Sequence, residues 1–218
     1  MDKALKFCRK QRRRMFFFLL LLAPFAFGGQ KVALTFDDGP HPYYTKKILE
    51  ILNEYSVKGT FFLVGKQAEK YPELVTAIKG AGCEIGNHTY NHPRLIYLSE
   101  SDVQKEVKST TLLLENITGE KIKYFRPPGG RYYFNTLENI SGLEIILWTI
   151  NTDDIFLSSE KIYEEVITAE EGDIILMHSG VPQTVKALPR ILRYFSKNGI
   201  TALSVSELRK RKSAELFE

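Results

Sequence analysis

Five short segments of the sequence carry acids, bases or metal-binding side chains at spacings that could support hydrolysis. The first, residues 35–40, contains the adjacent carboxylates Asp37 and Asp38 directly after an apolar run. One of two adjacent carboxylates can bind a metal ion while the other stays free as a general base. Taken alone, the pair is more typical of an aspartate-rich turn. The other segments must therefore show whether Asp37 and Asp38 belong to a catalytic site or to a turn.

Two of the four histidines, His88 and His92, lie four residues apart in the segment 87–93. Imidazole is a preferred ligand of zinc and related ions, and two imidazoles can reach one ion if the backbone turns between them. With Asp38 they would form a set that leaves coordination positions open for water and substrate, as catalytic metal sites do. Two unconnected surface or core histidines are the alternative for this pair alone.

Arg126 precedes a stiff and then flexible turn, residues 127–130, of sequence PPGG. This arginine could hold Asp37 ionised and oriented through a bidentate ion pair. Gly129 would allow its backbone N–H to approach a ligand closely. A solvated arginine in a surface turn is the alternative.

His178 follows the apolar run 174–177. Its imidazole is suited to general acid catalysis near neutral pH, and an acidic partner such as Asp154 would fix its tautomer and raise its pKa. A lone histidine is usually structural. Here, however, five predicted strand ends each bring an acid, a base or a ligand to the same edge, which chance does not explain.

Together the segments TFDDGP, HTYNHP, FRPPGG, residues 148–154 and ILMHSG resemble the polysaccharide deacetylase family (NodB homology domain, carbohydrate esterase family 4) over about residues 31–208. The resemblance implies a distorted (β/α)7 barrel that hydrolyses the acetamide of an N-acetylated sugar polymer with a divalent metal ion, zinc or a relative such as cobalt. By this likeness the catalytic base is Asp37 and the catalytic acid is His178. Arg126 would orient the base, and Asp154 would pair with the acid.

The same resemblance implies that Asp38, His88 and His92 bind the metal ion. Gly129, next to Pro128 in the substrate-binding turn, stands where the family commonly has an aromatic residue whose backbone N–H helps to bind the oxyanion.

Leu176 would line the pocket for the acetyl methyl group. Ile155 and Asn151 stand where many members have Trp and Asp. We therefore expect the acetyl pocket and the acceptor subsite to be altered.

The elements that must position these residues alternate along the chain. Predicted strands occupy residues 31–36, 59–64, 83–86, 124–126, 144–150, 173–177 and 201–205, and predicted helices occupy 44–55, 72–80, 102–117, 136–140, 161–169 and 183–198. This alternation is typical of parallel strands joined by covering helices, and it predicts a single-domain α/β barrel with its chemistry at the carboxyl ends of the strands. Ser101 and Gln104 resemble a capping box that opens the longest helix, and Gly119 would end it.

Residues 1–29 form a leader with a net charge of +6, whereas the rest of the chain carries −2. The apolar run 15–27 follows the basic residues, which indicates an export signal that is either cleaved or kept as a membrane anchor. Since the positive charge is concentrated in the leader, a nucleic-acid partner is disfavoured.

We expect residues 30–218 to form an exported catalytic domain that acts in the cell wall or on the outer face of the cytoplasmic membrane. Cys83 is the only cysteine after the leader, so this domain has no intramolecular disulfide. We further expect a monomer. Because an exported domain would act close to the cell wall, we expect peptidoglycan to be the substrate. Chitooligosaccharides, an O-acetylated polysaccharide such as xylan, and glycan binding without turnover are the alternatives.

Overall fold

A computed structural model describes residues 29–133, 140 and 142–215. In this part of the chain, parallel strands form one curled sheet in the order β5-β4-β3-β2-β1-β7-β6, and β8 pairs with the start of β1. The strands are β1 (Lys31–Gly39), β2 (Thr60–Leu63), β3 (Glu84–Asn87), β4 (Tyr124–Phe125), β5 (Glu144–Ile145), β6 (Ile150–Asn151), β7 (Ile174–His178) and β8 (Thr201–Leu203). The ladder is open between β5 and β6, so the sheet is a distorted barrel, as predicted.

Helices connect and cover these strands. They are α1 (Tyr44–Glu54), α2 (Gly65–Lys70), α3 (Pro72–Gly80), α4 (Glu100–Thr118), α5 (Ser159–Val166), α6 (Pro182–Asn198) and α7 (Val205–Glu215), with 3-10 turns at Leu95–Tyr97 and Pro128–Gly130. Among the described residues, none of these helices has both the length and the apolar character needed to cross a membrane.

The core surrounds β1, which pairs with β2 on one side and with β7 on the other. Val32, Leu34 and Phe36 are fully buried, because a central parallel strand is covered on both faces. Amphipathic α6 packs on this core and buries Leu188 and Ile191 at helical spacing. This packing holds the carboxyl end of β1 at the centre of the sheet edge.

The prediction of one strand over residues 144–150 is wrong. β5 pairs with β4 and β6 pairs with β7, so the predicted strand is divided between two separate ladders. The reason is that the carbonyl oxygens of Ile146 and Leu147 accept hydrogen bonds from the Arg126 side chain, at 3.0 and 3.1 Å. The interruption of this strand therefore opens the barrel and leaves two carbonyl oxygens to bind the Arg126 side chain.

The predicted capping box at Ser101 and Gln104 is also wrong. α4 begins at Glu100, and the hydroxyl of Ser99 accepts a hydrogen bond from the backbone N–H of Asp102 at 3.2 Å. The predicted end at Gly119 is confirmed by its φ of 69°.

Two helices, α2 and α7, were not predicted from the sequence. Residues 1–28 of the leader and most of the predicted helix 136–140 lie outside the described residues.

Candidate active site

Asp37 and Asp38 lie in the last part of β1 and not in a turn after it. The pairing of β1 with β2 shifts register between Phe36 and Gly39, and Asp38 has a φ of 66°. A bulge of this kind re-aims consecutive side chains. The Asp37 side chain is 4% exposed and the Asp38 side chain 37% exposed. The two carboxylates therefore occupy different environments, as the sequence predicts.

Arg126 is fully buried and fixes Asp37. One terminal nitrogen donates to Asp37 Oδ1 and to Thr35 Oγ1, both at 2.8 Å, while the other guanidinium nitrogens donate to backbone carbonyls. The predicted bidentate pair is wrong, because only one nitrogen is left for the carboxylate. Burial lowers the pKa of Arg126, and the Asp37 charge opposes that shift. The arginine stays charged, and Asp37 is its carboxylate partner.

Asp38, His88 and His92 converge on one point, as predicted. Asp38 Oδ1 lies 3.3 Å from His88 Nε2 and 3.1 Å from His92 Nε2. One ligand atom from each residue lies within 4.8 Å of the other two. A tetrahedral ion with bonds of about 2.0 to 2.1 Å would hold its ligands about 3.3 Å apart. The spacing therefore fits a small divalent metal ion.

The hydrogen bonds of His88 strengthen this fit. Its Nδ1 lies 2.7 Å from the carbonyl oxygen of Arg126, and a carbonyl can only accept, so Nδ1 carries a proton. In the neutral ring, Nε2 then presents a lone pair toward Asp38 Oδ1, which is buried and has no hydrogen-bond partner among the described residues. Two acceptors that face each other in this way need a positive charge between them.

The surroundings of Asp38 also favour the charged form of its carboxylate. Burial raises the pKa of Asp38, but the imidazoles of His88 and His92 outweigh that effect and hold the pKa far below its usual range. The Asp38 carboxylate raises the pKa of His92, against the opposing effect of burial. The cluster thus stabilises cationic partners around Asp38.

The loop between the two histidines is held by Glu106 of α4, a residue that the sequence analysis missed. Its carboxylate accepts the backbone N–H groups of Tyr90 and Asn91, at 2.9 and 2.7 Å, and the side-chain amide of Asn91 at 2.7 Å. Glu106 shares a helix face with buried Val103 and Thr110. An acid on an otherwise buried helix face was the available signal.

The unpredicted helix α2 holds the same loop from a second side. The N–H groups of Gly65 and Lys66 donate to the carbonyl oxygens of Thr89 and Tyr90, each at 2.9 Å. A Cβ at position 65 would lie only 2.6 Å from the Tyr90 ring and from Thr110 Oγ1. Glycine is therefore what lets α2 approach the histidine loop closely.

His178 ends β7, directly beside Asp37 in the parallel register. Its Nδ1 lies 2.6 Å from Asp154 Oδ1, and its backbone N–H donates to Asp154 Oδ2 at 2.8 Å, an oxygen that also accepts from the Thr184 hydroxyl. Burial lowers the pKa of His178, but Asp154, together with the charges of Asp37 and Asp38, raises it overall. The predicted contact between Asp154 and His178 is therefore present, and it favours the protonated imidazole.

The predicted substrate-binding residues lie around this cluster. Leu176 is 4% exposed and lies two residues before His178, on the same face of β7. Pro128 is buried at the start of the turn after β4, and Gly129 has a φ of 65° with no atom within 4 Å of its missing Cβ. Their roles in substrate binding stay predictions.

Asn151 and Ile155, which depart from the expected family pattern, flank Asp154. The Asn151 amide donates to Asp153 Oδ1 at 2.8 Å, and its oxygen accepts the backbone N–H of Asp153 at 3.1 Å. Ile155 is 53% exposed and Phe156 is 85% exposed. Apolar surface thus borders the segment that carries Asp154.

Comparison with known families adds to this geometry. The family described as polysaccharide deacetylase matches residues 26–146. This chain belongs to the polysaccharide deacetylase family. Asp154 and His178 lie beyond the matched stretch, and the fold brings them back beside Asp37 of β1.

Individual family members resemble the chain over most of its length. A peptidoglycan-N-acetylglucosamine deacetylase of Bacillus cereus is 36% identical over 187 residues, which cover 81% of this chain and 87% of the relative. A chitooligosaccharide deacetylase of Azorhizobium caulinodans is 35% identical over 162 residues, covering 72% and 77%. The solved structure of the peptidoglycan deacetylase PdaC from Bacillus subtilis has a TM-score of 0.81 at 30% identity, covering 86% of this chain and 96% of that one. The chain therefore has the fold of this family of deacetylases.

Proposed function

We propose that the protein is an exported, metal-dependent enzyme that removes acetyl groups from the N-acetylated sugars of peptidoglycan and releases acetate. The observation that carries this proposal is the convergence at one sheet edge of three kinds of group. These are a metal-binding set, a carboxylate held by a buried arginine, and a histidine held by a buried carboxylate. Amide hydrolysis needs a polarised carbonyl, a base and an acid, and the three groups supply them.

Asp38, His88 and His92 would hold the metal ion, which we propose to be zinc, with cobalt as a working substitute. When bound there, such an ion supplies Lewis-acid polarisation of the acetamide carbonyl and lowers the pKa of water. The oxygen and nitrogen donors of these three residues suit zinc.

Asp37 acts as the general base in this proposal. Arg126 engages only Oδ1 of its carboxylate, at 2.8 Å. The other oxygen, Oδ2, lies 3.7 Å from His88 Nε2, on the side of the metal-binding set, and takes the proton from the attacking water. The single-nitrogen contact therefore orients the base without blocking it.

His178 acts as the general acid. Asp154 binds Nδ1 and leaves Nε2 to donate a proton to the departing amine. The backbone N–H of Gly129 stabilises the negative charge that develops on the carbonyl oxygen, and Leu176 contacts the acetyl methyl group. Without the proton from His178 the amine would leave poorly.

Two observations support peptidoglycan and export. Relatives from Bacillus cereus and Bacillus subtilis that cover most of this chain are named peptidoglycan deacetylases. The basic and apolar leader at residues 1–29 is typical of an exported protein, which would meet the cell wall first. We propose that the enzyme acts there as a monomer.

Acetate release tests the proposal. The purified protein is incubated with peptidoglycan, with chitin oligomers and with a matched acetyl ester, with and without chelator and with added zinc or cobalt. We expect acetate from peptidoglycan that stops with chelator and returns with zinc. No release from either amide by the metal-bound protein would contradict the proposal, and release from the ester alone would assign an O-acetyl substrate instead.

A further inference from the structure

A cavity of about 240 Å3 lies beside the proposed active site. It is lined by Arg94, Ile96, Pro128, Gly129 and Arg131. These residues come from the loops that follow β3 and β4, two strands that pair with each other and end at the same edge of the sheet. The cavity therefore adjoins both the histidine loop and the predicted oxyanion donor.

The two arginines of this cavity differ from most of the other arginines whose side chains the structure describes. Among the arginines whose side chains the structure describes, Arg126, Arg190 and Arg209 each pair with a carboxylate. Arg94, Arg131 and Arg193 have no ion pair with a described residue, and the first two line this one cavity. Two guanidinium groups without a carboxylate partner among the described residues thus line a cavity next to a site whose own side chains are largely paired.

The chemistry of the cavity indicates its ligand. Guanidinium groups bind carboxylates through paired N–H donors, and such contacts are stronger than neutral hydrogen bonds. The cavity is smaller than the roughly 300 to 1,000 Å3 of pockets that enclose a drug-sized ligand, so it suits one substituent of a sugar. Ile96 and Pro128 give it an apolar wall beside the charges.

We infer that Arg94 and Arg131 form a subsite for a carboxylate carried by the glycan substrate. This inference rests on the proposed function, because it concerns the same site and the same reaction. Peptidoglycan carries carboxylates on its peptides and, wherever the peptide is absent, on the lactyl group of its muramic acid, whereas chitin oligomers carry none. The subsite would therefore select peptidoglycan over a neutral N-acetylated glycan.

A double variant, Arg94→Ala with Arg131→Ala, tests the subsite. We measure kcat/KM on chitin oligomers, on glycan strands freed of peptide, and on strands that keep their peptides. The ratio of kcat/KM on carboxylate-bearing strands to kcat/KM on chitin oligomers should fall about tenfold in the double variant, mainly through a higher KM. Each charged contact at an exposed site contributes at most about fivefold to affinity. Arg193→Ala removes the same charge from α6, outside the cavity, and should leave the ratio unchanged.

The two kinds of glycan strand distinguish the two sources of carboxylate. A loss confined to peptide-free strands assigns the lactyl group, and a loss confined to strands with peptide assigns the peptide. Added salt should weaken the wild-type preference and leave the double variant unaffected, because salt screens exposed charges. An unchanged ratio in the double variant, or an equal change in Arg193→Ala, would overturn the subsite.

A binding measurement separates this inference from the proposed function. If the metal-bound wild-type protein released no acetate from any substrate, the proposed function would fail. Calorimetric binding of peptide-free and peptide-bearing strands would still decide the subsite. About tenfold weaker binding by the double variant supports the inference, and equal binding of both kinds of strand by the wild type and the double variant contradicts it.

Discussion

Two regions of the site differ in how firmly the protein holds them. We call the first the catalytic cluster, which consists of Asp37, Asp38, His88, His92, Arg126, Asp154 and His178. Each of these side chains lies within 3.3 Å of another member. The second is the rim, which consists of Arg94, Arg131, Ile155 and Phe156. The rim residues are exposed, and Phe156 is 85% exposed.

This difference separates two tasks. Bond breaking depends on groups placed to within a fraction of an ångström, and side chains fixed by close polar contacts provide that placement. Choice of substrate depends on contacts that can change without disturbing the core. We therefore expect substitutions in the catalytic cluster to change metal binding or kcat, and substitutions at the rim to change KM.

The largest effect is expected for Asp38→Ala, which removes the carboxylate from the metal-binding set. Two imidazoles alone should not retain the ion, so bound metal is lost and acetate release falls about 10³-fold or more. Elemental analysis of the purified variant measures the metal, with the exposed Glu54→Ala as the control. Metal content equal to that of the wild type would show that Asp38 is not a ligand.

His178→Ala should lower kcat by roughly 10²-fold or more, since general acid catalysis contributes about that factor. Metal content should stay at the wild-type level, which separates this variant from Asp38→Ala. Steady-state kinetics on peptidoglycan measures the loss. Near-normal kcat would remove His178 from the mechanism.

Glu106→Ala should weaken metal binding about 10- to 100-fold, because residues that orient metal ligands commonly contribute that much. The substitution removes the carboxylate that accepts the backbone N–H groups of Tyr90 and Asn91 and so holds the loop between the two histidines. Metal titration gives the dissociation constant, and excess metal should restore kcat.

Glu106→Gln keeps a hydrogen-bond acceptor, so its metal affinity should lie between that of Glu106→Ala and that of the wild type. The exposed Glu73→Ala serves as the control. Equal metal affinity in all four proteins would show that the loop does not need this carboxylate.

Asp154→Asn should change the pH dependence of kcat. Asp154 helps to raise the pKa of His178, so the imidazole stays protonated to a higher pH than an ordinary histidine. A general acid works below its pKa, and the wild-type rate should therefore fall only above that raised pKa. In the variant the alkaline fall should move to lower pH, and a profile that does not move would argue against the pairing.

The smallest effect is expected for Phe156→Ala at the rim. Because the ring is 85% exposed, the free energy of unfolding should change by less than about 0.5 kcal/mol. KM for the glycan should rise a few-fold with kcat unchanged, since an exposed ring can contact a sugar face. A loss of kcat instead would place this residue with the catalytic cluster.

The sequence predicts that the residues of the catalytic cluster converge, because they follow short apolar runs and the ends of parallel strands gather at one edge. Asp37, Asp38 and His178 follow this rule. Glu106 does not, because its partners in the histidine loop depend on how α4 packs and rotates against β3.

The contact between Arg126 and Asp37 shows a similar limit. A sequence pattern can pair their charges, but it cannot show that backbone carbonyls already occupy the other guanidinium nitrogens. The same carbonyls split the predicted strand 144–150, so both errors have one cause. Tertiary hydrogen bonds outweighed the local β-propensity of that segment.

The pairing of β1 also determines when the site can exist. β1 is the first strand after the leader, yet its neighbours β7 and β8 follow at the far end of the chain, and Thr35 donates to a carbonyl about 140 residues later. Such distant contacts form late and slowly. During synthesis, Asp37, Asp38, His88 and His92 are therefore present long before His178 is added. Only a polypeptide that extends through β7 can assemble this site, and any product cut short before β7 would expose an unpaired edge of β1.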